Sequence, residues 1–223
     1  MAQQQLFINV DMNPKLLEAA KNGNRSQIIE LLDKRADIEC HDPISGSTPL
    51  MVAARVGAKN AVEYLIKRGA DMQNTDTYGR TALHLAAWKG NLPVVKFLLM
   101  KAEEKQIPII DDQNNGGDTA LHEAAEFGHV DIVEELLNHG AKTEVESWDG
   151  TPLCKAAREG HEGVVMVLLA KGANAKCINP NGKTTALHMA AVAGHAKVLE
   201  VFMKHRYTTT TFFTLDLTSL AIN

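Results

Sequence analysis

Apolar and polar positions along the chain fall into a block of ten residues that recurs five times. It reads TPLMVAARVG from Thr48, TALHLAAWKG from Thr81, TALHEAAEFG from Thr119, TPLCKAAREG from Thr151 and TALHMAAVAG from Thr185. The steps between copies are 33, 38, 32 and 34 residues. Self-similarity at a fixed period marks a repeat array, in which each unit buries its apolar face only by stacking on its neighbours. Each block predicts one short helix. The threonine stands where its hydroxyl can cap the first turn. Pro49 and Pro152 suit the first helical position, where no amide is needed. The leucine and the paired alanines give a narrow apolar stripe, and the closing glycine ends the helix in the left-handed conformation. A second stretch with helical spacing follows every block: NAVEYLIKRG, NLPVVKFLLM, VDIVEELLNHG, EGVVMVLLAKG and AKVLEVFMKH.

Departures from the pattern carry their own expectations. PKLLEAAKNGN from Pro14, with SQIIELLDKRA after it, has the two-helix pattern without the T-x-L-H opening. It predicts an N-terminal capping unit, whose outer face must tolerate water, and six helix pairs in all. The later units start near Ser47, Arg80, Asp118, Gly150 and Lys183. In the 38-residue step the added residues, within Met100–Gln106, are good helix formers, which predicts a second helix about one turn longer. Thr184–Thr185 adds one residue before the last block. From Thr208 the chain reads TTTTFFTLDLTSLAIN, a strand-like alternation that either covers the last unit or binds a partner.

The blocks resemble the ankyrin repeat, T-[PA]-L-H-x-A at a period near 33, over roughly Pro14 to Tyr207. The resemblance implies an all-α ankyrin-repeat solenoid of stacked helix–turn–helix pairs, spanning 14–207 between an N-terminal segment 1–13 and a C-terminal tail 208–223. It implies that the linking segments form β-hairpin-like fingers with tips at Ile44, Tyr78, Asn114, Trp148 and Pro180. It also implies that His84, His122 and His188 brace the neighbouring finger by hydrogen bonds. About function it is nearly silent, because fold and function are separable.

Composition narrows the function classes. The net charge of −4 offers no basic footprint for nucleic acid. No apolar run approaches the ~20 residues that a membrane helix needs, and MAQQQLFINVDM lacks the basic start of a signal peptide. Cys40, Cys154 and Cys177 follow no ligand spacing and read as reduced thiols. Together these predict a soluble monomer of the cytoplasm, with the nucleus as the alternative. Histidines one repeat apart sit on helices about 8–10 Å apart, too far to share an ion bound at ~2 Å. Cys154 has Lys155 and Arg158 nearby but no histidine to act as its base. Gly182-Lys183-Thr184 imitates a phosphate loop, yet Cys177 stands where the first glycine belongs. No cofactor, metal or catalytic centre is therefore expected.

What remains are residues that the repeat does not dictate. Tyr78, Leu85, Trp88, Phe127 and Trp148 are large apolar residues predicted to line the concave face and the finger tips. Glu123, Glu126, Arg55, Lys155 and Arg158 flank them, the arginines placed to pair with acids on a partner. Clustered exposed aromatics are the material of binding hot spots. The expected function is a non-catalytic adaptor that binds a protein partner there. The alternatives are a regulatory inhibitor of an enzyme such as a kinase, or a substrate-recruiting targeting subunit.

Overall fold

The computed structural model describes residues 10–179 and 184–208. The expectations for the first nine residues, for Pro180, Gly182 and Lys183, and for the tail beyond Thr208 lie outside the described residues.

Among the described residues a 3-10 turn at Val10–Met12 leads into twelve helices that form six pairs. They are α1 (Asn13–Lys21) and α2 (Arg25–Asp33), α3 (Pro49–Val56) and α4 (Lys59–Lys67), α5 (Ala82–Trp88) and α6 (Leu92–Lys105), α7 (Ala120–Glu126) and α8 (Val130–Asn138), α9 (Pro152–Glu159) and α10 (Glu162–Ala170), and α11 (Ala186–Ala193) and α12 (Ala196–Thr208). First helices stack on first helices, α1 through α11, and second helices stack on second helices, α2 through α12. The result is two layers around one continuous apolar core that runs from Leu16 to Phe202. The motif leucines Leu50, Leu83, Leu121 and Leu153 are buried, whereas Leu187, on the last described helix of its layer, is half-buried. Paired alanines allow this close approach. Ala53, Ala54, Ala86, Ala87, Ala124 and Ala125 expose nothing.

The helix starts are closed in two ways. Thr48 and Thr185 hydroxyls accept from the amides of Met51 and His188. At Thr81 and Thr119 the histidine three residues on does the closing. Nδ1 of His84 accepts the Thr81 amide at 3.2 Å, and Nδ1 of His122 accepts the Thr119 amide at 3.0 Å. Their Nε2 atoms donate to the carbonyls of Asp118 (2.9 Å) and Gly150 (3.1 Å), at the base of the next finger. An amide can only donate and a carbonyl can only accept, so both rings are neutral and protonated on Nε2.

A second row of rings ties each unit to the one before. His129, His161 and His195 donate Nε2–H to the carbonyls of Trp88, Glu126 and Arg158, at the ends of α5, α7 and α9. This close packing explains Gly160, which has φ +80°, and at which a Cβ would lie 2.6 Å from Nδ1 of His195. Gly160→Ala should therefore cost about 2 kcal/mol through the left-handed backbone and the displaced ring. A lowered urea midpoint checks it.

α6 has 14 residues against nine in α4 and α8. The additional turn carries Ala102 into the core, and Gln106, at φ 56°, ends it. The fingers are tight turns rather than extended hairpins. Among the described residues the only bridges are isolated, Ser147 with Gly150 and Ile178 with Thr185. A polar side chain at the start of each turn holds it: Asp76 Oδ1 accepts the amides of Tyr78 and Arg80, and Asn114 Oδ1 those of Gly116 and Asp118. Successive fingers join through single backbone bonds, Thr77 to Ser45, Asn115 to Tyr78 and Trp148 to Gly116.

Candidate functional site

Three of the predicted aromatics meet on the face shared by the fingers and the first-helix layer. Trp88, at the end of α5, and Phe127, just after α7, contact edge to face with centroids 6.0 Å apart. They come from adjacent units, Trp88 at the eighth position of its block and Phe127 at the ninth of the next. Tyr78 joins them through a cation. The guanidinium of Arg80 lies 4.8 Å from the Tyr78 ring centroid and 5.4 Å from that of Trp88. Lys89 Nζ stands 3.7 Å from the Trp88 centroid. Arg80 sits in a linking segment, outside the repeated block, so the motif does not mark it. Buried Asp76 fixes it, taking Nε at 2.9 Å and Nη2 at 2.7 Å. The Asp76–Arg80 spacing, with a tyrosine between, was the available signal. Tyr78 is 62% exposed and Phe127 46%, while Trp88 is half-buried and packs against the core. Pairing with a buried carboxylate holds Arg80 between two rings, so the shelf is preformed.

Beyond Phe127 the face becomes a network of charges. Lys155, on α9, reaches back to the preceding unit and donates to Asp118 Oδ2 at 3.0 Å and to Glu126 Oε2 at 2.6 Å. Burial opposes its charge, but the bonds to Glu126 and Asp118 outweigh burial and raise its pKa. Arg158 contacts Glu126 (3.5 Å), Asp149 (3.1 Å) and Glu159 (2.8 Å). Glu123, on α7, is crowded: burial and then Asp118 push its carboxyl up to about 7, against the opposing pull of Lys155.

Two of the predicted contact residues are corrected by this geometry. Leu85 is 1% exposed and belongs to the core. Lys155 is 3% exposed and already holds two carboxylates. Both occupy the fifth position of the ten-residue block, as does buried Val52. At these three units the position packs inward, whereas Glu123 and Met189, at the same position, are half-buried; the sequence spacing alone placed the whole row on the face. Arg158 is half-buried within its carboxylates, so its charge is balanced inside the chain. Arg55 is half-buried near the first finger, where its charge helps lower the Asp42 pKa after the bonds from Ser45 have done most of that. Trp148 stands two fingers along from Tyr78 and is 71% exposed. Among the described residues no group of three or more His, Cys, Asp or Glu is placed to hold a metal ion. No described helix is long and apolar enough to cross a membrane.

Residues 16–111 and 142–212 match the family model for ankyrin repeats in three copies, and residues 116–147 match that for a single ankyrin repeat. The chain belongs to the ankyrin-repeat family. It is 35% identical over 197 residues to the ankyrin repeat and KH domain-containing protein mask-1 of Caenorhabditis elegans, a match covering 86% of this chain and 7% of that protein. Over 204 residues it is 30% identical to the human SH3 and multiple ankyrin repeat domains protein 2, covering 91% of this chain and 10% of the relative. A match to the ankyrin repeat protein nuc-2 of Neurospora crassa is 31% identical and covers 84% of this chain and 17% of that protein. The chain thus spans a small part of the length of these curated relatives. Ankyrin repeats are protein–protein interaction modules, in a family that is generally non-catalytic.

Proposed function

We propose that this ankyrin array is a non-catalytic adaptor that grips a protein partner across the concave groove of its middle units. The observation that carries this reading is the continuous shelf of Tyr78, Arg80, Trp88 and Phe127, with Trp148 raised on a finger beyond it. Tyrosine, tryptophan and arginine are the residues that most often dominate binding energy. Here Arg80 is anchored before any partner arrives, which lowers the ordering cost of association. Free Cys40, Cys154 and Cys177 suit a reducing compartment, the cytoplasm or the nucleus.

A partner captured by the full chain provides the test. Phe127→Ala and Trp88→Ala are each expected to weaken its binding by about 2 kcal/mol, the scale of a central anchor. Phe127 is exposed and lies outside the core, so Phe127→Ala should leave the unfolding midpoint nearly unchanged. Calorimetric titration with the purified partner decides the matter. Unchanged affinity in both variants would remove the shelf as the site.

A further inference from the structure

The shelf and the charges beside it together select a kind of occupant. We propose that the groove takes a partner segment presenting an arginine or lysine to Glu123, its aliphatic stem laid on the Phe127–Trp88 shelf; this rests on the groove reading above.

The first support is charge. On the C-terminal side of the shelf stand Asp118, Glu123, Glu126, Asp149 and Glu159, with Lys155 and Arg158 as their cations. Lys155 serves Asp118 and Glu126, and Arg158 serves Glu126, Asp149 and Glu159. Among the described residues Glu123 has no salt bridge, and its one side-chain hydrogen bond is a 3.5 Å approach by Asn114 Nδ2. Next to it, Asp118 Oδ1 is buried without a hydrogen-bond partner among the described residues. This side of the shelf therefore carries more acceptors than its own donors satisfy, while Arg80 and Lys89 stand at the Trp88 side.

The second support is placement. Glu123 and Phe127 are four residues apart, one turn along the same side of α7, and Trp88 meets the Phe127 ring. A long basic side chain matches this layout, since its methylenes cover apolar surface while its head reaches a charge about 6 Å away. An acidic or wholly apolar segment would instead seal Glu123 from water without a partner, which is costly for an ionised carboxylate. The groups that face Glu123 are Asp118 and Glu126, which oppose its ionisation, and Lys155 and Arg80, which favour it. An incoming cation would shift that balance toward the carboxylate.

The test uses the full chain and a random peptide display library, followed by one synthetic peptide from the selected set. Selected sequences should share an arginine or lysine beside an aliphatic residue. Fluorescence anisotropy should show Glu123→Gln weakening the peptide about tenfold or more. Wild-type affinity should rise between pH 6 and pH 8 as Glu123 ionises, and Glu123→Gln should flatten that rise. Binding lost in Phe127→Ala but indifferent to Glu123→Gln would overturn the basic occupant and leave the groove reading standing. Peptides indifferent to both substitutions would overturn both, and a library that yields no Glu123-dependent binder would overturn the basic occupant.

Discussion

Lys155→Ala should destabilise the array by about 3 kcal/mol, the cost typical of removing one partner from a buried ion pair. The ammonium is bonded to Asp118 and Glu126 of the preceding unit, and its side chain is almost wholly enclosed. Removing it leaves Asp118, Glu126 and the nearby Glu123 crowded together, with Arg158, 3.5 Å from Glu126, as the only cation still paired with any of them among the described residues. Lys155→Met keeps most of the volume and should be nearly as harmful, because the cost lies in the carboxylates left behind. Glu126→Gln in the Lys155→Met background should recover part of the loss. Urea unfolding of the three variants measures this. A Lys155→Met protein as stable as wild type would show that the bridge contributes nothing.

His122→Ala should cost a similar amount, about 3 kcal/mol, from a stranded buried backbone amide, a lost bond to the next finger and a cavity. The Thr119 amide loses its acceptor, and the Gly150 carbonyl loses one donor while keeping the amide and hydroxyl of Ser147. Because the ring joins one unit to the next finger, the loss should also broaden the unfolding transition, as weakened coupling does in a repeat array. The same residue gives the protein an acid limit. Burial, offset by Asp118 and reinforced by Lys155, lowers the His122 pKa from 6.5 to about 4. Between those values the unfolded chain binds a proton that the native ring refuses. Stability is therefore fully present above about pH 6.5 and is lost as pH falls toward 4. His84 is shifted in the same direction, again chiefly by burial. Glu123 acts oppositely: its native carboxyl holds a proton up to about 7, so its contribution is lost as pH rises from 4.5 through that value. Unfolding midpoints from pH 4 to pH 7 should decline more steeply toward acid in wild type than in His122→Ala. Parallel curves would mean that His122 is not held neutral.

The repeat made the fold legible at once. A threonine cap, a leucine, two alanines and a glycine at a near-constant period specify a helix, its buried stripe and its end. Each is a local rule, and all of them agree. The longer α6 was equally visible, because helix formers filled the irregular interval before Gln106. The sequence placed Trp88 and Phe127 on one face, but their contact, between the eighth position of one block and the ninth of the next, came from the packing of adjacent units.

Sequence by itself therefore determined the two-layer ankyrin array, the stacking order of its helices and the finger-side aromatics. Tertiary structure alone decided which of the face residues remain accessible. Leu85 and Lys155 share one repeat position, yet the first is core and the second bridges two carboxylates. Arg80 entered the shelf although nothing in the motif marks it, and Glu123 was left without a salt bridge among the described residues. The reason is physical. Burial in a solenoid is set by the neighbouring unit, and an ionic pairing depends on which charge the adjacent helix happens to present, information that no single repeat contains.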